Sequence, residues 1–520
     1  MKIKDTIHFQ WYKSLFIVLI IALCFFTSAN LTSASFTEVF SNLDQMVAFL
    51  KKLSQPDFSY IPELLMPMLK TLKMSALGTV IGMLFAIPCS FLATTVVTKN
   101  SVITNIFRLF LNVVRTIPNL LLAAILVAVI GIGEATGVIT IAVFTFGLVS
   151  QLIYESIETI DYSPIEANES VGANKVQIAV WSIWPQILLS VISYFFYAFE
   201  INVRASTVLG YVGAGGIGVT LNAALGLFRY DRVSIIIISI FIVVLIVDAI
   251  SETIRRKLEF NETKQSKMNG WLVIAIIIII LAFCAYDIDW VSLTYFSWGS
   301  LKATIASIMN PEWSFFYNGS GEDVFSLMVM TICIAFVGTT IGTILCFPFV
   351  LIASKNLWNN NKIIPRIGKF ILDVLRSFPE LVYAIIFIKV VGPGPFAGVL
   401  AIGVHQIGML GKLFAEEMEQ MDEAPVEASQ AVGANSVQTM FYARIPQLMP
   451  IYASLVLNHF EIGVRSASTL GLVGAGGIGA ALIFAIQARK WSRVGIILLV
   501  IIVTVFLLDL LTGYIRKKLR

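Results

Sequence analysis

Charged residues are scarce in this sequence. Asp, Glu, Lys and Arg together make up 13% of its 520 residues, whereas ordinary soluble domains contain about 25%. Hydrophobic residues account for 58%, against roughly 45–50% in soluble domains. So few polar side chains cannot cover the surfaces of water-facing globular domains, which excludes an ordinary soluble protein.

Several signatures of catalysis and cofactor binding are also missing. The three histidines are scattered, and the five cysteines lie in apolar stretches without C-x-x-C spacing. Neither a disulfide framework nor a metal site is therefore expected. The chain has no G-x-x-x-x-G-K-[ST] motif, so it cannot hydrolyse ATP by itself in the P-loop manner. We expect no cofactor, no nucleic acid partner and no enzymatic activity in this chain.

What the sequence does contain is a long series of apolar runs. Stretches of about 18 or more mostly apolar residues recur along its whole length, and this length crosses the core of a bilayer. The sequence predicts an all-α integral membrane protein with about 12 transmembrane helices. The predicted spans lie near 14–29, 71–96, 113–132, 136–154, 182–204, 233–254, 270–286, 326–353, 371–392, 396–414, 445–465 and 494–514.

The chain is a tandem repeat with an offset of 261 residues. Residues 161–174 align with residues 422–435, and eight of these 14 positions are identical. The same offset relates many positions elsewhere, so we expect a first repeat over residues 1–259 and a second over 260–520. Six spans in each repeat make the two halves parallel, related by an axis along the membrane normal.

The distribution of Lys and Arg predicts the orientation in the membrane. The N-terminus, the linker at 255–267 and the C-terminus are all basic, whereas 286–325 holds five acidic residues and one lysine. We therefore expect a multi-pass membrane protein with both termini in the cytoplasm. A cleaved signal peptide is the alternative for the first apolar run, but the equivalent run at 271–285 lies inside the chain and favours a retained span.

The loop after the fourth span of each repeat obeys the pattern E-A-x4-G-x12-P. A short helix at the membrane surface suits this pattern, because the glycine and the proline let the chain turn into the next span. An ordinary interfacial helix is the alternative, but identical spacing in both repeats disfavours it. The residues are Glu166, Ala167, Gly172 and Pro185 in a loop at about 155–185, and Glu427, Ala428, Gly433 and Pro446 in a loop at about 416–446.

A glycine-rich segment follows the fifth span of each repeat, at Gly213–Gly218 and Gly474–Gly479. Both segments match G-x-G-x-x-G, but the dinucleotide-binding motif needs a preceding strand, and here a membrane span precedes it. Nucleotide binding is therefore not expected. The glycines are more consistent with close helix packing or with a bend between the fifth and sixth spans.

A few charged residues recur inside or near the predicted spans, where charges are costly and usually face a partner or a cavity. Each Glu–Arg pair with a spacing of four is either an internal ion pair or leaves its arginine exposed to an anionic substrate. Each arginine of an R-x-x-P element is either a snorkelling anchor or part of a cytoplasmic gate. We regard all six as candidates for the substrate path or gate: Glu200, Arg204, Arg115, Glu461, Arg465 and Arg376. His405 is interpreted as a packed polar residue without the partners that a proton relay needs.

Longer segments carry a family resemblance. The E-A-x4-G loops resemble the EAA loops of ABC importer permeases, in which a short cytoplasmic helix docks into a groove of the ATPase subunit. Segments 376–384, 391–398, 405–416 and 469–479 closely resemble the phosphonate ABC transporter permease family. The resemblance covers nearly all of both repeats, apart from the first span of each and the outer loop after it.

The resemblance implies a helical importer-permease fold and a phosphonate or a related phosphorus oxyanion, such as phosphite, as substrate. It also implies a substrate-binding protein outside the membrane and two ATPase subunits in the cytoplasm, whose ATP cycle powers alternating access. Because family permeases generally pair as two separate chains, this sequence looks like such a pair fused. We expect close packing around Gly172 and Gly433, where the ATPase would dock.

The repeats are not equivalent, and other functions remain to be weighed. The second repeat has Glu380, His405 and Lys412 where the first has Asn119, Phe144 and Gln151, so a symmetric substrate path is in doubt.

The nearest alternative to a phosphonate permease is a permease for methionine or a betaine-type osmolyte. An ion-coupled secondary transporter would show acidic residues in relay, and a membrane enzyme would show a buried catalytic set. Neither pattern is visible in the sequence.

Overall fold

The computed structural model describes residues 11–35, 37, 41–260, 281–294, 296–358 and 361–519. Within these ranges the chain forms helices joined by turns and contains no β-strand. Seven of the described helices are long and apolar enough to cross a membrane, or up to nine if each of two bent helix pairs is one span. The predicted all-α membrane architecture is thus confirmed. Most of the predicted span at 270–286 and of the linker at 255–267 lies outside the described residues.

The main helices of the first repeat are α1 (Trp11–Leu31), α2 (Leu43–Leu53), α3 (Ile61–Leu92), α4 (Ser101–Thr116), α5 (Asn119–Ile130), α6 (Glu134–Glu158), α7 (Ser163–Ser170), α8 (Trp184–Leu209), α9 (Ile217–Gly226) and α10 (Tyr230–Phe260). Those of the second are α11 (Trp298–Ile308), α12 (Val324–Ala353), α13 (Ile363–Ser377), α14 (Glu380–Val391), α15 (Pro395–Gln420), α16 (Ala424–Ala431), α17 (Ile445–Leu470), α18 (Ile478–Gln487) and α19 (Trp491–Leu519). The order α3–α10 recurs as α12–α19.

The third predicted span of each repeat is broken, so the prediction of one continuous helix at 113–132 and at 371–392 is wrong. In the first repeat α4 and α5 meet at an angle of 85°. The break follows from the proline, because the residue before a proline avoids the helical region. Ile117 and Phe378, which precede Pro118 and Pro379, are both extended. Each R-x-x-P arginine therefore lies in the last turn of an amphipathic helix that ends at the break.

Glycines allow the long helices to pack closely. Helix α3 packs along α6, and α12 packs along α15 in the same way. A Cβ at Gly338 would lie 2.9 Å from the Cβ of Ile402 and 3.0 Å from the carbonyl oxygen of Val399. Gly78 of the first repeat meets Ile141 equally closely. Since the lipid tails are as apolar as the side chains, close packing of this kind is what holds membrane helices together.

We expect Gly338→Ala to destabilise the protein by about 1–3 kcal/mol, because the added methyl must push α12 away from α15. Gly403→Ala is the matched control in the same helix pair, since its Cβ would have no neighbour closer than 3.5 Å. The control should be neutral or slightly stabilising, as alanine is the better helix former. Thermal unfolding of the two purified variants measures the difference, and equal midpoints would contradict the close-packing argument.

The glycine-rich segments form the turn between α8 and α9 and between α17 and α18. Hydroxyl oxygens of Thr71 and Thr331 accept hydrogen bonds from the backbone N–H of Ile217 and Ile478, at 2.8 Å and 2.9 Å. In the second repeat the helices on either side of the turn are bent by 49°. The predicted bend is therefore confirmed.

The two repeats contact each other where α1 packs on α12 and also through their last helices. Helix α10 packs on α13, and α19 packs on α4. Phe241 of α10 stacks on Phe378, with the ring centroids 5.2 Å apart. Val382 of α14 is buried in a core cluster formed otherwise by residues of the first repeat. The broken third span of each half thus lies at the boundary between the halves.

Candidate functional site

The E-A-x4-G loops form two short helices, α7 and α16, most of whose residues are exposed. An aspartate precedes each helix, and its carboxylate accepts a backbone N–H at 3.0 Å, from Ser163 to Asp161 and from Ala424 to Asp422. The hydrogen bonds from Ser163 lower the pKa of the exposed Asp161 carboxyl below its ordinary value. A single buried residue anchors each helix, Ile165 in α7 and Val426 in α16. In α7, Asn168 donates to Ser182 at 2.7 Å and Glu169 pairs with Lys99 at 2.6 Å, so these two side chains are held within the chain.

The Glu-Ala pairs of the E-A-x4-G loops, where the resemblance predicts that the ATPase docks and couples to the permease, are on the surface of the chain. Glu166, Ala167, Glu427 and Ala428 are all exposed. The structure records no hydrogen bond or ion pair within the described residues for either glutamate side chain, so both carboxylates remain available.

Gly172 and Gly433 end these helices in the left-handed region, with φ of +83° and +86°. A Cβ at either position would have no atom of this chain within 4 Å. The expectation of close packing is therefore not met within the chain. The backbone conformation, which L residues with a side chain rarely adopt, is what calls for glycine here.

The chain then turns toward the next span in the same way in both repeats. Asn174 and Asn435 form capping boxes with Gln177 and Gln438, respectively. Each is followed by a five-residue π-helical turn, at Ala179–Ile183 and Met440–Arg444. Such turns are rare and often lie at functional sites. The exposed residues Pro185 and Pro446 follow, in the first turn of α8 and α17.

Large apolar side chains surround these turns and point to solvent. Trp181 is 73% exposed and Tyr442 is 81% exposed. We call each set of exposed apolar residues, together with the short helix α7 or α16 beside it, a coupling surface. The apolar members are Val171, Val176, Val180 and Trp181 in the first repeat, and Val432, Val437, Phe441 and Tyr442 in the second. Exposed apolar patches of this kind mark interaction sites. Sequence reasoning missed them, although the offset of 261 pairs all four positions.

The R-x-x-P arginines join the two repeats crosswise. Arg376 Nη2 lies 2.9 Å from Asp248 Oδ2 on α10 of the first repeat. Arg115 Nη2 lies 3.9 Å from Asp509 Oδ2 on α19 of the second repeat. Asp248 and Asp509 are themselves 261 residues apart, so the structure repeats this contact. The offset of 261 between the two aspartates is visible in the sequence, but the sequence patterns do not single out either aspartate as a site residue.

The Glu–Arg pairs of the fifth spans are internal ion pairs. Arg204 Nη2 lies 2.5 Å from Glu200 Oε1, and Arg255 Nη2 lies 3.3 Å from the other carboxylate oxygen. Arg465 pairs with Glu461 in the same way. Both glutamates are buried. The first of the two interpretations of these pairs is therefore confirmed, and any contact of the arginines with substrate remains a prediction.

A buried polar cluster distinguishes the second repeat. His405 Nδ1 lies 2.9 Å from Glu380 Oε1, at the start of α14. His459 of α17 is buried close enough to interact electrostatically with both. His405 is thus a packed polar residue, as predicted, but the prediction that it lacks partners is wrong. The first repeat has Asn119, Phe144 and Ala198 at the corresponding positions. Within the described residues, no group of three or more His, Cys, Asp or Glu side chains could hold a metal ion.

Comparisons with known proteins identify the family. The family described as "Binding-protein-dependent transport system inner membrane component" matches residues 78–260 and again residues 347–520, more than half of the chain. This chain belongs to that family. The permease thus contains two family units in tandem, as the sequence repeat predicts. It is a membrane component of a transport system.

Two curated relatives of the permease are informative. The phosphate-import permease protein PhnE of Mycolicibacterium smegmatis is 32% identical over 489 residues, which cover 93% of this chain and 91% of the relative. The phosphite transport system permease protein PtxC of Stutzerimonas stutzeri is 37% identical over 193 residues, covering 37% of this chain and 70% of the relative. A solved structure of the MetNI methionine ABC transporter aligns with 39% of this chain at 19% identity and a TM-score of 0.36.

Proposed function

We propose that this permease carries a phosphorus oxyanion, such as a phosphonate, phosphite or phosphate, into a bacterial cell. The observation that carries the proposal is the alignment with a phosphate-import permease over 93% of the chain, both repeats included. A second relative, similar to part of the chain, is a phosphite permease. The methionine alternative is weaker, because a methionine import permease of Bacillus subtilis is 25% identical over 179 residues.

Transport is powered by a separate ATPase, and one permease chain binds two ATPase subunits. Two coupling surfaces support this, since each exposes a glutamate without a partner in the described chain beside large apolar side chains. Both surfaces face the cytoplasm, on the side of the basic linker and both termini. The two halves lie parallel, with about 12 spans in total, and a substrate-binding protein delivers substrate from outside.

The crosswise Arg–Asp pairs form a cytoplasmic gate. Arg115 and Arg376 each end an amphipathic helix and reach the last helix of the other repeat. Movement of the halves away from each other must break these pairs, so they couple the opening of the path to the ATPase cycle. The ion pairs of Glu200 and Glu461 hold the fifth spans beside this gate.

Reconstitution tests the proposal. Proteoliposomes that contain the permease, its ATPase and its binding protein are expected to take up phosphonate, phosphite or phosphate when ATP is inside. Methionine and betaine are the control substrates and should not accumulate. Uptake driven by an ion gradient without ATP would contradict the proposal in favour of a secondary transporter. The native mass of the complex should correspond to one permease chain with two ATPase subunits, and two permease chains per particle would overturn the stoichiometry.

A further inference from the structure

Helix α13 carries two adjoining stripes of opposite character. Its apolar stripe is exposed. The helix has 15 residues, which is too short to cross the bilayer. The basic stripe uses the same spacing of four and three residues, one position earlier, so the two stripes run side by side. The apolar residues are Ile363, Ile367 and Phe370, and the basic residues are Lys362, Arg366 and Lys369.

A cavity of about 630 Å³ lies along the basic stripe. Its lining consists of Lys355, Trp358, Asn361, Lys362, Arg366 and Lys369. One carboxylate, that of Glu419, pairs with Lys369 at 2.8 Å and with Lys355 at 3.9 Å. Four cations against a single carboxylate leave this site strongly positive. We call these six lining residues the basic cluster.

The basic cluster lies at the end of two membrane spans. Helix α12 ends at Ala353, just before Lys355. The backbone N–H of Lys355 donates to Glu419 near the end of α15, at 2.9 Å. The indole N–H of Trp358 donates to the carbonyl of Leu351 at 2.8 Å. Tryptophan and lysine at the end of a span are typical of the headgroup layer of the bilayer.

The first repeat shows that an amphipathic helix at this position does not require the cations. Its helix α4 also exposes an apolar stripe, at Val102, Ile106 and Leu109. The positions that correspond to the four cations hold Thr95, Ser101, Asn105 and Arg108. Arg108 pairs with Glu158 just as Lys369 pairs with Glu419, so the other three cations are the ones without a counterpart. The excess positive charge is therefore specific to the second repeat and needs a separate explanation.

We propose that the basic cluster binds the phosphate headgroup of an anionic phospholipid. Basic pockets beside membrane helices suit anionic headgroups, and the planar guanidinium of Arg366 can bind phosphate oxygens in pairs. A free phosphate ion would share this chemistry. The adjoining apolar stripe selects the lipid, because Ile363, Ile367 and Phe370 offer acyl chains a surface that an inorganic ion does not need.

Native mass spectrometry of the purified full-length chain tests the proposal with phosphatidylglycerol as the probe and phosphatidylcholine as the neutral reference. The double variant Lys362→Ser/Arg366→Asn places the residues of the first repeat in the second. Each cation near an anionic lipid surface contributes about fivefold in affinity. The variant is therefore expected to bind phosphatidylglycerol about 25-fold more weakly, with unchanged phosphatidylcholine binding.

Lys302→Ser, at an exposed lysine of α11, is the matched control and should bind phosphatidylglycerol like the unmodified protein. Equal binding of the two lipids, or an equal loss in the control, would overturn the proposal. Displacement of the lipid by millimolar inorganic phosphate would assign the site to a free anion instead. Displacement by the ATPase subunit would assign the surface to that partner. Unchanged thermal unfolding of the double variant shows that the loss is local.

Discussion

Replacement of Gly433 by valine is expected to reduce ATP-driven uptake at least tenfold, with normal insertion of the protein in the membrane. Gly433 has φ of +86° at the end of the coupling helix α16. A β-branched residue in this conformation costs on the order of 1–3 kcal/mol, and each 1.4 kcal/mol changes an equilibrium about tenfold. The turn is therefore expected to rearrange, which displaces Glu427 and the apolar residues of the coupling surface. Uptake by proteoliposomes at matched protein content measures the effect.

Three variants separate the possible causes of this loss. Gly172→Val disturbs the equivalent turn and should reduce uptake as well, whereas Gly319→Val adds the same strain in the loop before α12, with φ of +71° and open space. The Gly319→Val variant should transport normally. Gly433→Asn should retain most uptake, because asparagine tolerates the left-handed region better than other residues. Normal uptake by the double variant Gly172→Val/Gly433→Val would refute the role of these loops.

Removal of the Arg376 charge is the second change with a large expected effect. Arg376 and Asp248 are 16% and 19% exposed, so Arg376→Met leaves a largely buried carboxylate without its close partner. The loss of one member of a buried pair costs about 3–5 kcal/mol, and partial exposure places the expected loss toward the lower end. We expect a lower thermal unfolding midpoint and a loss of coupled uptake, since the contact joins the two repeats.

Two comparisons test whether the ion pair itself is responsible. Arg115→Met should have the smaller effect, because Arg115 lies 3.9 Å from Asp509, whose side chain is 36% exposed. The double variant Arg376→Met/Asp248→Asn removes both charges and should recover much of the stability, while uptake remains impaired if the pair acts as a gate. A single Arg376→Met variant as stable as the unmodified protein would contradict the argument, and full uptake by the double variant would exclude the gate.

The contrast between Arg376 and His405 shows how far sequence reasoning reaches. Arg376 was identified because the R-x-x-P element recurs at a fixed offset, but its partner Asp248 lies 128 residues earlier. The sequence predicts no partners for His405, yet Glu380 lies on the preceding helix and His459 lies on α17. Neither set of contacts follows from spacing, because both depend on which faces of distant helices are buried together.

The sequence by itself determined the membrane class, the tandem repeat and the position of the two E-A-x4-G loops. Those features follow from local causes, namely the length of apolar runs, the need for a turn at a glycine and the recurrence of residues at one offset. The tertiary structure decided the break of the third spans, the crosswise ion pairs and the contact between His405 and Glu380. Side chains far apart in sequence meet only when close helix packing brings their faces together, and the pattern along a single helix does not specify that arrangement.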